Sequence, residues 1–265
     1  MTPIAVTIAA SDSSGGAGIA ADLKTFSALG VYGATIITAL TAQNTREVLA
    51  IEDVPADFVA LQMDAVFSDL EVDAVKIGMV RDQAGMEAIA GGLARWSQTK
   101  VVLDPVMAAS SGKEFLSKDA IEVLKTVLIP RALLITPNLA EAAALLRAPI
   151  ASNQDGMREQ GERLLEMGAK VVLMKGGHST GSQSVDLLVE HTGVTIFPAD
   201  RVPSGNTHGT GCTLSSAIVA SLAKGFDLVE AVRLAKRYVT DALMAADRIK
   251  VGQGAGPLHH FHASW

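Results

Sequence analysis

Apolar positions along the chain follow two alternating rhythms. Short β-branched runs occur at Ile4–Ala9, Ala34–Leu40, Ala74–Ile77, Val101–Asp104, Leu133–Thr136, Val171–Lys175 and Val185–Val189, the pattern of buried strands. Between them, apolar side chains recur at helical spacing. Residues 58–70 put Phe58, Leu61, Ala65 and Val66 on one predicted face, and residues 228–243 repeat Leu228, Ala231, Val232, Ala235, Val239 and Leu243. Asp227 with Glu230 three residues on predicts a capping box for the second of these helices. Gly168 predicts the stop of a helix over roughly 153–167. Strands alternating with helices predict an α/β fold, a mostly parallel central sheet with helices on both faces. The runs at 185–189 and 194–197, joined through His191-Thr192-Gly193, instead predict an antiparallel hairpin near a sheet edge.

No repeat, low-complexity tract or long linker interrupts this order, so residues 1–265 are expected to form one domain. Hydrophobic residues make up 49% of the chain but aromatics only 4%. That suits helices packed on a buried sheet and argues against a stacking platform for single-stranded nucleic acid. A net charge of -6 argues against binding a phosphate polymer. Cys212 is the single cysteine, which excludes an intrachain disulfide and a cysteine-rich zinc site and suits a reducing compartment. No apolar run is long enough to span a membrane, and Met1–Ala10 lacks the pattern of a signal peptide. A cytoplasmic protein is expected.

Ligands of open α/β sheets bind beyond the carboxyl ends of the strands, and several segments there carry chemistry. Ser11-Asp12-Ser13-Ser14-Gly15-Gly16-Ala17-Gly18 follows the first strand. It reads either as a tight turn or as a loop that brings backbone N–H groups to a ligand. It matches neither the dinucleotide fingerprint nor the Walker P-loop. Gly209-Thr210-Gly211-Cys212 opens a small-residue helix. There, unpaired N–H groups and the helix dipole make an anion site and are expected to lower the thiol pKa; the plainer reading is a turn and an inert cysteine. Asn138-Leu139-Ala140-Glu141 reads first as a capping box, and alternatively as a pair organising Mg²⁺ and its waters near nucleotide phosphates. Lys175-Gly176-Gly177-His178 offers a strand-end lysine for a phosphate, or a surface lysine before a turn. Asp104 puts a carboxylate at another strand end, facing a metal or capping the next turn. His259, His260 and His262 read as a mobile polar tail in preference to a metal site. The shared position of these segments on one edge points to phosphoryl transfer.

The segments Ile8 to Gly18, Ala20-Ala21-Asp22-Leu23-Lys24-Thr25, Thr38 to Thr45, Lys76-Ile77-Gly78-Met79, Val102 to Met107, Ile135 to Leu139, Lys175 to His178 and Asn206 to Ser215 resemble the hydroxymethylpyrimidine/phosphomethylpyrimidine kinases of the ribokinase-like superfamily. The resemblance runs in register from about Ile4 to Phe261, and cysteine stands at 212 where most of the superfamily has aspartate. It implies a three-layer fold. It also implies that ATP phosphorylates 4-amino-5-hydroxymethyl-2-methylpyrimidine to the monophosphate and then to the diphosphate, in thiamine biosynthesis. It implies a pyrimidine pocket of Gln43, Asp22, Ala17, Ala10, Met79 and Val106, with Gln43 bonding the aminopyrimidine. Cys212 matches the proposed base, and Gly209, Thr210 and Gly211 the anion hole. Asp104, Asn138 and Glu141 match the shell of Mg·ATP, with Asp104 and Glu141 holding Mg²⁺ through water, and Lys175 matches a nucleotide-site position. A homodimer is implied as well. Three positions depart from the family pattern: Ala10 for glycine beside the pocket, Gly205 for arginine, and Ala140 for proline. Pyridoxal kinase, of the same fold, is the nearest alternative; Gln43 and Met79 favour the pyrimidine, and Ala10 keeps the alternative open. A non-catalytic pyrimidine- or nucleotide-binding protein is a second alternative, against which the complete set of site residues argues.

Overall fold

The computed structural model describes residues 1–108, 114–177 and 181–265. Its strands, in chain order, are β1 (Ile4–Ala9), β2 (Tyr32–Ile37), β3 (Ala39–Gln43), β4 (Val48–Asp53), β5 (Ala74–Ile77), β6 (Val101–Leu103), β7 (Leu134–Ile135), β8 (Val172–Met174), β9 (Gln183–Glu190) and β10 (Gly193–Asp200). Eight of them form one sheet in the order β10-β9-β8-β7-β6-β5-β1-β2. From β2 to β8 the strands run parallel, and β8, β9 and β10 pair antiparallel in succession. The expected edge hairpin is therefore present.

Alternate side chains of each strand enter opposite cores, as the pleat demands. Val6, Ile8, Val75, Ile77, Val101 and Leu103 face one core. It is closed by α2 (Ala56–Phe67), α3 (Gln83–Arg95), α4 (Lys118–Val123), α5 (Leu139–Leu146) and α6 (Gln154–Glu166). Ala5, Ala74, Val102 and Leu134 face the other core, under α1 (Gly18–Ala28), α7 (Thr210–Ala223) and α8 (Leu228–Met244). The result is the expected three-layer α/β architecture. The chain moves outward from β1 to β2, then returns to place β5 on the other side of β1. That reversal opens a crevice at the carboxyl ends of β1 and β5.

Four expectations need correction. The run Ala34–Leu40 is two strands: the chain leaves the main sheet after Ile37 and starts the separate β3–β4 hairpin at Ala39. No glycine or proline marks the break, so periodicity ran through it. On α2, Phe58 and Leu61 point outward, 55% and 61% exposed, while Val59, Met63 and Phe67 are buried. Both stripes are apolar at helical spacing, and only the sheet beneath decides between them. Asp227 caps α8 by accepting from the Glu230 amide (2.9 Å), but the Glu230 carboxylate turns to Arg233 (2.8 Å) instead of closing a capping box. The histidine tail is docked: His259 and His260 are buried, and the Tyr238 hydroxyl donates to the His260 carbonyl (2.7 Å). Among the described residues no group of three or more His, Cys, Asp or Glu side chains is gathered so as to hold a metal ion.

Candidate active site

The crevice between β1 and β5 is lined first by small and flexible apolar groups. Ala10 follows β1, Met79 follows β5, and Ala39 opens β3; the three form one buried cluster. Ile51, Val106 and Phe115 pack against it half-buried. Three of the expected pocket residues, Ala10, Met79 and Val106, thus meet at one place. Apart from Phe115, this wall is made of alkyl and thioether groups, a surface against which a flat ring can pack by contact area.

Beside this wall the first glycine-containing loop is organised by one carboxylate. Asp12 Oδ1 accepts from the Ser14 amide (2.8 Å) and hydroxyl (2.7 Å), and Oδ2 accepts from the amides of Gly16 (3.2 Å) and Ala17 (2.8 Å). His208 Nε2 lies 2.7 Å from the same Oδ2. These donors hold the Asp12 carboxyl below its ordinary range against the opposing effect of burial. Ala17, expected at the pocket, caps α1 with its amide committed to Asp12. Gln43 ends β3 and is tied to the loop by mutual bonds with the Ser13 hydroxyl, both 2.8 Å. The loop therefore turns tightly, and its Ser14, Gly16 and Ala17 amides are taken by Asp12 instead of being left for a ligand.

Gly209 adopts φ +80°, and a side chain there would overlap the carbonyl of Gly16, so the two glycine loops touch. The N–H and hydroxyl of Thr210 are both directed at the Thr207 carbonyl (3.2 and 2.7 Å). The first-turn amides of Gly211 and Cys212 are groups that the helix cannot satisfy from within. The helix start read from the sequence as an anion site therefore offers fewer free donors than that reading expects. A Cβ on Gly211 would stand 3.3 Å from Lys175 Nζ and 3.6 Å from Asp104 Oδ2, which places the charged cluster directly against these amides.

That cluster joins three strand ends. Lys175 Nζ donates to Asp104 Oδ1 (2.7 Å) and lies 3.8 Å from Glu141 Oε2. Thr136 Oγ1 donates to the same Asp104 oxygen (3.1 Å), and the Ser215 hydroxyl lies 3.5 Å from the other. Asn138 and Glu141 form the reciprocal capping box of α5: Asn138 Oδ1 accepts from the Glu141 amide (2.9 Å), and Glu141 Oε2 accepts from the Asn138 amide (2.7 Å). Burial and the neighbouring Asp104 push the Glu141 carboxyl up to about 7, although Lys175 opposes this. Two carboxylates share one lysine, and the surplus negative charge at hard oxygen donors fits a Mg²⁺ held through water and nucleotide phosphates. His178 lies outside the described residues.

Asp22, expected at the pyrimidine pocket, is fully buried, and its carboxylate accepts from Lys76 Nζ, Ser216 Oγ and Thr7 Oγ1, each at 2.6 Å. Thr7 and Lys76 are register partners on β1 and β5, so both side chains rise from the same sheet face toward α1 and α7. The Cys212 thiol departs from the expected lowering. Burial pushes its thiol above the ordinary value, with the nearby Asp22 and Asp104 adding to the effect, against Lys76 and a bond from the Gly18 amide. The helix dipole does not prevail over desolvation. Sequence reasoning gave no role to Lys76, Asp12 or His208. A lysine at an inward position of a strand buried throughout was the available signal for Lys76.

Comparison with known proteins places this arrangement. The family model described as phosphomethylpyrimidine kinase matches residues 12–259. A hydroxymethylpyrimidine/phosphomethylpyrimidine kinase of Rhizobium meliloti is 56% identical over 265 residues, covering 100% of this chain and 99% of that protein. The crystal structure of a phosphomethylpyrimidine kinase from Clostridium difficile is 45% identical, with a TM-score of 0.80 over 91% of this chain and 99% of that one. An ADP complex of Bacillus subtilis pyridoxal kinase is 33% identical, with a TM-score of 0.92 over 99% of both chains. A family model over most of the chain and a full-length relative at 56% identity agree, and the chain belongs to the phosphomethylpyrimidine kinase family.

Proposed function

We propose that the whole chain forms one ATP-dependent kinase. It phosphorylates the hydroxymethyl group of 4-amino-5-hydroxymethyl-2-methylpyrimidine and then the resulting monophosphate, supplying the diphosphate to thiamine biosynthesis. The observation that carries this reading is the junction at Gly211, where the α7 amides meet Lys175 and Asp104 beside the apolar crevice. Phosphoryl transfer asks for alignment and charge neutralisation in a dry site, and this junction supplies both.

In this reading the ring lies against Ala10, Met79 and Val106, and Gln43 bonds its polar edge. The amides of Gly211 and Cys212, extending the Gly209–Thr210 turn, hold the transferring phosphoryl oxygens. Lys175 pairs with the nucleotide phosphates. Asp104 and Glu141, with Asn138 fixing Glu141 through its cap, would hold Mg²⁺ through water; the metal supplies charge neutralisation at the phosphates. Cys212 takes the proton of the primary alcohol. Its resting thiol is neutral, so this step draws on a minor thiolate form. A cytoplasmic enzyme is part of this reading. The reading extends to a homodimer, for which Tyr32 on the edge strand β2 and the outward Phe58 and Leu61 offer an exposed apolar face; the solution mass is the check.

Pyridoxal is the competing acceptor, because a pyridoxal kinase shares the fold across the full chain. Mass-spectrometric product analysis with ATP separates the two. The pyrimidine alcohol is expected to give mono- and then diphosphate. Turnover of pyridoxal with no pyrimidine diphosphate would overturn the assignment, and ligand binding without turnover of either would make the protein a binder.

A further inference from the structure

Gln43 is the residue through which the proposed reading recognises the pyrimidine, and the hydrogen bonds around it determine which way its amide points. Three polar contacts are involved. Gln43 Nε2 lies 3.4 Å from His208 Nε2, Gln43 Oε1 lies 3.3 Å from Thr41 Oγ1, and His208 Nε2 lies 2.7 Å from Asp12 Oδ2. The Asp12 carboxyl is ionised, holds four further donors and has nothing to give. A carboxylate only accepts, so His208 Nε2 carries a proton and donates it to Asp12. An amide NH₂ facing that N–H would set donor against donor.

The oxygen and nitrogen of an amide exchange places on a half-turn, and the network decides which is right. With the carbonyl toward His208, the Nε2 proton is shared between Asp12 and Gln43. The Gln43 NH₂ then meets Thr41 Oγ1, whose own proton goes to the Ser11 carbonyl (3.0 Å). Every contact now pairs a donor with an acceptor. What remains free on Gln43 is one N–H beside one carbonyl lone pair, the complement of a ring nitrogen beside an exocyclic amino group.

We propose that Asp12 and His208 are positioning residues for substrate selection: they fix the Gln43 amide with its carbonyl toward the imidazole. The site thereby prefers a 4-aminopyrimidine to a ring lacking the amino group. This rests on the reading that Gln43 bonds the pyrimidine.

The test compares two acceptors, the aminopyrimidine alcohol and its analogue without the amino group, in the wild type, His208→Phe and Gln43→Ala. His208→Phe keeps the ring and removes the N–H. It is expected to raise KM for the amino acceptor about tenfold, with less than about threefold change for the analogue and a smaller effect on kcat. Equal changes for both acceptors would reduce His208 to a structural role and overturn the inference. If Gln43→Ala abolishes the preference while His208→Phe leaves it intact, the inference alone fails. If Gln43→Ala leaves the preference intact, the recognition reading fails with it. The imidazole ¹⁵N spectrum of the wild type is a readout that needs no variant. It is expected to find the proton on Nε2; a His208 protonated at Nδ1 alone would overturn the proposal.

Discussion

Two lysines stand on the carboxyl edge of the sheet, Lys76 buried and Lys175 half-buried, and both are linked to the first turns of α7. Lys76 has one carboxylate, Asp22, closed by the hydroxyls of Thr7 and Ser216; lysine and aspartate are both 0% exposed. Lys175 has two carboxylates, Asp104 and Glu141, and opens toward the glycine-rich helix start. The first cluster is neutral and fully buried, its charges paired with each other. The second carries surplus negative charge and faces unpaired amides, so a cation and a phosphate can complete it. A charged residue at a strand end is thus no sign of a site by itself. The sign is an account that fails to close.

The sharpest way to break this comparison is at Lys76. Lys76→Met strands a buried carboxylate and is expected to destabilise the fold by about 3–5 kcal/mol in urea unfolding. Lys76→Met combined with Asp22→Leu removes the stranded charge and is expected to recover most of that loss. Lys175→Met should cost less, because Glu141 can take up a proton in place of its partner. If Lys76→Met unfolds no more easily than Lys175→Met, the division into a structural and a functional lysine is wrong.

Cys212 lies between the two clusters and feels both, which makes it the next test. A primary alcohol must lose a proton during attack, whereas a phosphate monoester, its second pKa being about 6, is already largely ionised at neutral pH. Cys212→Ala is therefore expected to slow the first phosphorylation about 10²-fold and the second much less. Single-turnover rates for the two steps decide this. Equal losses would leave Cys212 a role in shaping the pocket and remove it from proton transfer.

The sequence made the layers legible because period-two runs and glycine-marked turns are local signals. β1 and β5 have the bounds that periodicity assigns. The charged cluster was legible too, as Asp104, Glu141 and Lys175 each follow a strand whose end could be placed. Three things were hidden because they depend on partners far along the chain. The pairing of Asp22 with Lys76 spans 54 residues, and nothing local announces it. The bond between Asp12 and His208 spans 196. The thiol of Cys212 sits where helix dipole and burial oppose one another, and the burial that decides the outcome comes from α1 and the sheet.

The gentlest test concerns Glu141, where the surplus charge of the second cluster is stored. Its carboxyl is raised from 4.5 to about 7, so between those values the folded protein holds a proton that the unfolded chain has released. Stability of the nucleotide-free protein should then fall as pH rises through that window. Glu141→Gln keeps an oxygen to accept from the Asn138 amide and removes the ionisable group. It is expected to raise Tm at pH 8 by about 2–4 °C, for a gain on the order of 1 kcal/mol, and to leave Tm at pH 4 unchanged. The same variant is expected to weaken Mg·ATP binding several-fold. A stabilised variant with weakened nucleotide binding is what a site holding unspent charge produces, whereas a purely structural capping box would lose stability at every pH. Thermal unfolding of both proteins at the two pH values distinguishes these outcomes.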